Sequence, residues 1–194
     1  MQPDDFNIMN MDDKELVALS LKEKERYGYL MQRYEKKLLK YITRFSGVGG
    51  DDAQDILQDT FLKVYRNLNA YNGAFSFSSW IYRIAHNETI GHLRKLKSRP
   101  QVVNSEDSNI LIDIFKSDPG FFADIENQHL AEKLGEIINT LDSKYREVIA
   151  LVYLEDKSYK EVSDILKKPV STVGTLVLRA KRQLKEKIKK SNYF

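Results

Sequence analysis

Four aromatic side chains precede or begin a basic helix in the middle of the chain, and this combination suits the binding of unpaired nucleotides. Tyr71, Phe75 and Phe77 lie among small and polar residues in segment 69–79, and Trp80 follows directly. Bases released from a duplex stack on aromatic rings, and the intervening phosphates bind cationic side chains. The alternative is an ordinary amphipathic helix whose preceding loop covers the core, because aromatic residues near Lys and Arg are common.

The residues after Trp80 separate into an apolar and a basic side when they are placed at helical spacing. The apolar side consists of Ile81, Ile84, Ala85, Leu93 and Leu96, and the opposite side consists of Arg83, His86, Asn87, Arg94 and Lys97. The pattern therefore predicts a helix, beginning near Trp80, that packs on one side and offers cationic groups on the other.

A second pattern, in the last third of the chain, is typical of duplex DNA binding. Ser158 and Glu161 form a capping box that opens a short helix, and a turn at 167–169 separates it from a longer helix over 170–187. In a helix-turn-helix, the second helix enters the major groove by its N-terminal turns while basic residues bind phosphates. A structural helical hairpin has the same spacing, but the segment 179–190, with seven Lys or Arg and one Glu, favours DNA.

The two sides of that longer helix differ in polarity. The apolar stripe consists of Val173, Val177, Ala180 and Leu184, and the opposite side consists of Ser171, Thr175, Leu178, Arg179 and Arg182. The stripe is expected to pack against the rest of its domain, which leaves the hydroxyl and basic side chains for DNA.

The remaining periodicity predicts an all-α fold made of two small helical domains. Further helices are expected over about 16–44, from an N-cap at Asp51 or Asp52 to Leu68, over 130–141, and from a cap at Asp142 or Ser143 to Leu154. Segment 101–128 carries six acidic residues and one Lys and predicts a flexible acidic linker. The predicted bounds are 1–15 for a lead-in, 16–98 for an N-terminal helical bundle, 99–128 for the linker and 129–190 for a C-terminal helix-turn-helix domain of four helices.

Composition excludes several classes of protein. The 194 residues are 42% hydrophobic and 30% charged, and they include no cysteine, which excludes disulfides and thiolate metal sites. No run approaches the ~18 apolar residues of a membrane span, so we expect no membrane insertion. The three histidines, His86, His92 and His129, lack metal-ligand spacing, and no hydrolase, P-loop or dinucleotide fingerprint is present. We therefore expect no enzyme activity, no metal and no cofactor.

Three groups of motifs, taken together, resemble those of a known family. DDAQDILQDTFLKVYRNL, then FSSWIYRIAHN with LRK, then LDSKYREVIALVYLEDKSYKEVSDILKKPVSTVGTLVLRAKRQLK are similar to the extracytoplasmic-function (ECF) group of the sigma-70 family. The resemblance runs from about Leu19 to Lys187 and is interrupted by the linker. It implies an alternative-type sigma factor in the bacterial cytoplasm that binds core RNA polymerase and promoter DNA and directs promoter-specific transcription initiation. It also implies an anti-sigma partner, often membrane-bound.

The resemblance assigns roles to residues that match the family's motifs. The helix over 51–68 is implied to dock on a coiled coil of the largest polymerase subunits through Asp55, Gln58 and Asp59. The loop and helix after it are implied to capture unpaired bases of the minus-ten element, with the candidates Asn72, Phe75, Ser76, Trp80, Arg83, Asn87 and Arg94. The last helix is implied to read the minus-thirty-five element, with the candidates Ser171, Thr172, Thr175, Arg179 and Arg182.

Some positions depart from the family pattern and bear on promoter preference. Gly174 and Leu176 stand at places that are commonly basic, and Gly91 stands where an Asp is common. Contacts to the minus-thirty-five element are therefore expected to be weaker or to use Lys181 and Lys185.

Three alternative functions make different predictions. A conventional helix-turn-helix regulator would bind duplex DNA as a dimer without polymerase, and it leaves the aromatic loop without a role. The sequence lacks the motifs that an enzyme would carry. A structural scaffold accounts for neither the basic segment nor the paired motifs.

Overall fold

The structure, a computed structural model, describes residues 8, 10–96, 137–138 and 140–190. In these residues we find seven α-helices and no β-strand, which confirms the all-α class. The helices are α1 (Asp13–Lys22), α2 (Tyr27–Ser46), α3 (Gly50–Asn67), α4 (Phe77–Leu96), α5 (Ser143–Ile149), α6 (Tyr159–Leu166) and α7 (Val170–Lys190). The predicted linker, 99–128, lies outside the described residues, as does most of the helix expected over 130–141.

The helical pattern over 16–44 forms two helices instead of one. Asp12 caps α1 through a capping box with Glu15, so the helix begins ahead of the expected start. Every residue in 22–26 is charged, and Glu23 has an extended backbone, with φ −126° and ψ 100°. Because this stretch has no apolar side chain to pack against the core, the helix is interrupted there, and the chain turns before α2 begins.

The starts of α3 and α4 also differ from the sequence prediction. Gly49 is the N-cap of α3. Asp51 and Asp52 lie inside the first turn of this helix, where the positive end of the helix dipole stabilises carboxylates. The α4 helix begins at Phe77, because the Ser76 hydroxyl accepts a hydrogen bond from the backbone N–H of Ser79 at 3.1 Å.

Helices α2, α3 and α4 enclose an N-terminal core that contains several buried tyrosines. The Tyr27 hydroxyl donates to the backbone carbonyl of Phe61 at 2.9 Å, and the Tyr34 hydroxyl donates to Asp13 at the start of α1. The Tyr41 ring is fully buried, and its hydroxyl lies 3.2 Å from Nδ1 of His86. Each buried hydroxyl therefore keeps a polar partner, which burial of a phenol requires.

The C-terminal core is formed by α5, α6 and α7. Its buried residues include Val148, Leu151, Val162, Ile165, Val173, Val177, Ala180 and Leu184. The predicted apolar stripe of the last helix is confirmed. The helix expected to reach Leu154 is α-helical only to Ile149 and continues as a wider π-helical segment over Ala150–Leu154. Asp142 is its N-cap, as expected, although its side chain makes no capping hydrogen bond.

The two domains touch each other. The α4 helix packs along α6, and α2 contacts α5 and the π-helical segment. Polar groups of both domains meet at this contact: the Tyr82 hydroxyl of α4 donates to Glu155, and the carboxylate of Glu147 is 2.9 Å from Nε2 of His86. Which face of α4 remains available to a ligand depends on this contact.

Candidate nucleic-acid interface

The loop before α4 is held in shape by its own side chains. The Tyr71 hydroxyl donates to the backbone carbonyl of Phe75 at 2.9 Å, and the Asn72 side chain accepts from the backbone N–H of Ala74 at 3.0 Å. Gly73 has a φ of 72°, a conformation that glycine adopts without a steric penalty. The loop therefore needs little ordering when a ligand binds.

An aromatic cluster lies under this loop. The ring centroids of Tyr71 and Trp80 are 5.4 Å apart, and those of Phe77 and Trp80 are 5.7 Å apart. Phe77 is only 1% exposed and belongs to the core, so it offers no surface to a base, contrary to its expected place in the open loop. Tyr71 and Trp80 are half-buried, packed on the core from one side.

A cation lies beside the fourth aromatic ring. The guanidinium carbon of Arg83 is 4.4 Å from the centroid of the Phe75 ring, and Phe75 is half-buried. Such a pair of an arginine and an aromatic ring matches the surfaces on which bases stack in single-strand binding proteins. Of the four aromatic rings expected from the sequence, those of Tyr71, Phe75 and Trp80 thus remain partly exposed, and the Phe75 ring is paired with a cation.

The other candidates at this site have distinct positions. Asn72 and Ser76 are exposed in the loop, and Asn87 and Arg94 are exposed further along α4. The Ser76 hydroxyl also donates to the Ser79 hydroxyl at 3.0 Å, so this serine already has a structural role as the cap of α4.

The helix-turn-helix is formed by α6 and α7. The capping box of Ser158 and Glu161 is confirmed. The α6 helix ends at Leu166, and its C-cap, Lys167, has a left-handed backbone with a φ of 52°. The Ser163 hydroxyl donates to the backbone carbonyl of Lys168 at 2.6 Å and holds the turn. The turn therefore fixes where α7 begins relative to α6.

The predicted recognition face of α7 is accessible. Its exposed side chains are Ser171, Thr172, Thr175, Arg179 and Arg182. Leu178 lies among them with 69% of its surface exposed, which the sequence reasoning placed on this face but did not count as a site residue. An apolar side chain there suits the methyl group of thymine.

Gly174 lies at the edge of that exposed face and is half-buried. A Cβ atom built at this position would be 3.7 Å from Cε2 of Tyr159 in α6, an ordinary van der Waals contact. The missing side chain therefore adjoins α6, the partner helix of the motif.

The outer face of α3 combines acidic, amide and apolar groups. Asp55, Gln58 and Asp59 are exposed, and next to them Leu62 is 51% exposed and Tyr65 is 40% exposed. The sequence prediction did not include these two residues among the polymerase-binding candidates. An apolar patch bordered by polar groups is typical of a protein-binding surface.

Comparison with known proteins identifies the family. Residues 30–99 match the model of Sigma-70 region 2, and residues 131–184 match that of Sigma-70 region 4. The ECF RNA polymerase sigma-E factor of Haemophilus influenzae is 31% identical over 174 residues, which cover 86% of this chain and 89% of that protein. The chain belongs to the ECF group of the sigma-70 family. It is a sigma factor, a non-enzymatic protein that directs transcription initiation.

One further relative and two solved structures are also similar to this chain. The ECF RNA polymerase sigma-E factor of Escherichia coli K12 is 30% identical to this sigma factor over 172 residues, 86% of this chain and 88% of that protein. The fold is similar to that of CnrH in complex with the cytosolic domain of CnrY, with a TM-score of 0.66 and 22% identity over 92% of this chain and 97% of CnrH. It is also similar to the sigma factor RpoE of Bartonella quintana in complex with the anti-sigma factor NepR, with a TM-score of 0.61 and 21% identity over 86% of this chain and 98% of RpoE.

The described residues offer neither a metal site nor a membrane-spanning helix. In residues 8, 10–96, 137–138 and 140–190, no three His, Cys, Asp or Glu side chains are grouped so that they could hold a metal ion. None of the helices in the same ranges combines the length and the apolar character that crossing a membrane requires.

Proposed function

We propose that this sigma factor binds core RNA polymerase, captures unpaired bases of the minus-ten element and reads the minus-thirty-five element. The observation that carries the proposal is the half-buried pair of Tyr71 and Trp80 beside the Arg83–Phe75 pair, within the segment that matches Sigma-70 region 2. In this mechanism, polymerase performs all the chemistry and the sigma factor stabilises one strand in its open form.

The energetics of base stacking support a role for the sigma factor in stabilising the open strand. Separating DNA strands costs stacking and pairing energy, and stacking a released base on an aromatic ring returns about 1–3 kcal/mol. Trp80 and Phe75 are the rings proposed to receive bases, with Asn72 and Ser76 beside them in the loop. Arg83, Asn87 and Arg94 follow α4 and are proposed to hold the phosphates of the same strand.

Recognition of duplex DNA is assigned to α7. Ser171, Thr172 and Thr175 come from its first two turns, which in a helix-turn-helix reach the base edges. Arg179 and Arg182 are one and two turns further on and are proposed to contact phosphates or base edges. The exposed Leu178 adds an apolar contact, which fits a site where the commonly basic places hold Gly174 and Leu176.

Polymerase binding is assigned to the outer face of α3. The combination of Asp55, Gln58 and Asp59 with exposed Leu62 and Tyr65 provides both charge and an apolar centre. The proposed site of action is the bacterial cytoplasm, where the polymerase is. Because CnrH and RpoE were solved with CnrY and NepR bound, we also propose an anti-sigma partner, often membrane-bound, for this chain.

Transcription in vitro tests this proposal. The purified chain, core polymerase and a library of genomic promoter fragments should yield specific transcripts that core polymerase alone does not produce. Absence of specific transcripts, together with tight binding of duplex DNA without polymerase, would instead support a conventional regulator. A pull-down from cells would show whether an anti-sigma partner binds.

A further inference from the structure

Helix α1 lies outside the segment that matches Sigma-70 region 2, yet its first residue is linked to the aromatic cluster. The match covers residues 30–99, and α1 covers Asp13–Lys22. We propose that Asp13 is a positioning residue for strand capture, which acts through the Tyr34 and Phe77 rings to hold Trp80 in place for a promoter base. This inference rests on the proposed function, because it concerns the geometry of the same site.

The first link joins Asp13 to Tyr34 of α2. The Tyr34 hydroxyl donates to the carboxylate of Asp13, and only 4% of the surface of Tyr34 is exposed. A phenol hydroxyl at this depth needs a polar partner, and hydrogen bonds to a charged group are stronger than those between neutral groups. The Asp13 carboxylate therefore helps to fix the depth and direction of the Tyr34 ring.

An arginine fixes the Asp13 carboxylate in turn. Nη1 of Arg33 donates to the other carboxylate oxygen at 2.9 Å, and Nη2 of the same guanidinium donates to the backbone carbonyl of Met11 at 2.7 Å. The two charged side chains are 24% and 27% exposed, so water screens their attraction less than at an open surface. Asp13 is thus held from one side while it holds Tyr34 on the other.

The next contact passes from Tyr34 to the aromatic cluster. The Tyr34 and Phe77 rings meet edge to face, with centroids 5.6 Å apart and an angle of 71° between their planes. The buried Phe77 ring in turn contacts Trp80 and also Tyr71, whose centroid is 5.4 Å away. Aromatic pairs at these distances prefer specific orientations, and a close-packed interior transmits a displacement. One intervening ring therefore couples Tyr34 to Trp80.

The start of α1 also lies close to the loop that carries the base-binding candidates. Burial raises the pKa of Tyr71 above its ordinary value, and the charges of Asp13 and Asp12 raise it further. The Tyr71 ring packs against that of Trp80. The carboxylate at the start of α1 is therefore a neighbour of the minus-ten site and not part of a remote end of the domain.

Positioning matters at this site because stacking requires a ring in a fixed orientation. A side chain that is already held in its binding orientation loses less conformational freedom when the ligand arrives. Ordering one side chain at the moment of binding costs roughly two- to tenfold in affinity. We therefore expect loss of the link between Asp13 and Tyr34 to reduce strand capture by about this factor.

The test uses Trp80 as a reporter, because it is the single tryptophan of the chain. In the free sigma factor, Asp13→Ala and Tyr34→Phe should each move the fluorescence emission of Trp80 to longer wavelength, since a less constrained ring meets more water. With core polymerase, both variants should lower transcription from linear duplex promoters about two- to tenfold. A promoter already unpaired over the minus-ten region should restore their activity, and the Kd for core polymerase should not change.

Two further variants isolate the hydrogen bond. Asp13→Asn keeps an oxygen acceptor for the Tyr34 hydroxyl and should retain more activity than Asp13→Ala. The double variant of Asp13→Ala and Tyr34→Phe should lose no more than the stronger single variant, because both substitutions remove the same link. If Asp13→Ala fails to fold, Tyr34→Phe, which leaves the ring in the core, decides the question.

Asp12→Ala is the matched control. The Asp12 side chain caps α1 by accepting from the backbone N–H of Glu15 at 2.8 Å, so its bond lies within α1 and does not reach Tyr34. Removal of an N-cap destabilises a helix, and we expect a melting temperature lowered about as much as in Asp13→Ala. The emission of Trp80 and the transcription from duplex promoters should nevertheless stay at the wild-type values.

Three outcomes would overturn the inference. One is wild-type emission and wild-type transcription in both Asp13→Ala and Tyr34→Phe. Another is an equal effect of Asp12→Ala and Asp13→Ala, which would mean that α1 supports stability alone, and a third is an additive loss in the double variant. Failure of the wild-type chain to give specific transcripts with core polymerase would instead reject the proposed function, while the emission would still report whether Asp13 positions Trp80.

Discussion

At the scale of single residues, Trp80 offers the sharpest test of strand capture. Its ring packs on Tyr71 and Phe77 but remains partly exposed. Replacement by alanine removes a stacking surface worth about 1–3 kcal/mol per base. We expect Trp80→Ala to lower promoter-dependent transcription about ten- to a hundredfold on linear duplex templates, because each 1.4 kcal/mol corresponds to a factor of ten.

The template separates this effect from a loss of polymerase binding. A promoter already unpaired over the minus-ten region should restore most of the activity of Trp80→Ala, and Trp80→Phe should stay close to wild type on both templates. Equal loss on duplex and unpaired templates would contradict a role in opening.

Gly174 offers a residue-scale test of stability. Alanine is favoured over glycine in a helix interior by about 1 kcal/mol, and a Cβ atom here would meet the Tyr159 ring at 3.7 Å without a clash. We expect Gly174→Ala to raise the free energy of unfolding by up to about 1 kcal/mol, measured by urea denaturation. Gly91→Ala, at a helical glycine in α4 with nothing within 4 Å of the added atom, is the matched control and should give a similar gain. A loss at Gly174 alone would show that Tyr159 cannot accommodate the methyl group.

At the scale of helices, substitutions on the outer face of α3 should weaken polymerase binding without affecting folding. Asp59 and Leu62 are exposed, so their replacement removes little packing. We expect Asp59→Lys and Leu62→Ala each to weaken core polymerase binding severalfold in a titration, with an unchanged melting temperature. Glu35→Lys, an exposed charge reversal on α2, is the control and should bind normally. Normal binding by both α3 variants would place the polymerase surface elsewhere.

Sequence reasoning recovered helix identity better than helix ends, for a physical reason. Apolar spacing marks which residues are buried, and Val173, Val177, Ala180 and Leu184 are buried as expected. Helix ends depend on single caps, and the pattern did not distinguish Ser76, which caps α4, from other polar residues of the loop. The wider π-helical segment after Ile149 has no counterpart in the apolar pattern.

At the scale of the whole molecule, the least predictable feature was the contact between domains. The sequence prediction gave Tyr82, Glu147 and Glu155 no particular role, yet they are buried or contact the other domain. A sequence pattern reports which side of one helix is apolar, whereas this contact pairs polar groups from helices far apart in the chain. Promoter preference is also unpredictable at this scale, because Gly174 and Leu176 replace commonly basic residues of the family.

The buried phenols of the N-terminal domain set an alkaline limit for the whole fold. Burial raises the pKa of Tyr27, Tyr34, Tyr41 and Tyr82 above the ordinary value near 10. Above about pH 10 the unfolded chain therefore loses protons that the folded chain must retain, and the free energy of unfolding falls as pH rises. We expect cooperative alkaline unfolding, with tyrosinate absorbance near 295 nm rising together with the loss of helical circular dichroism. Ionisation of all eleven tyrosines while the helices persist would show that these hydroxyls exchange with solvent in the folded protein.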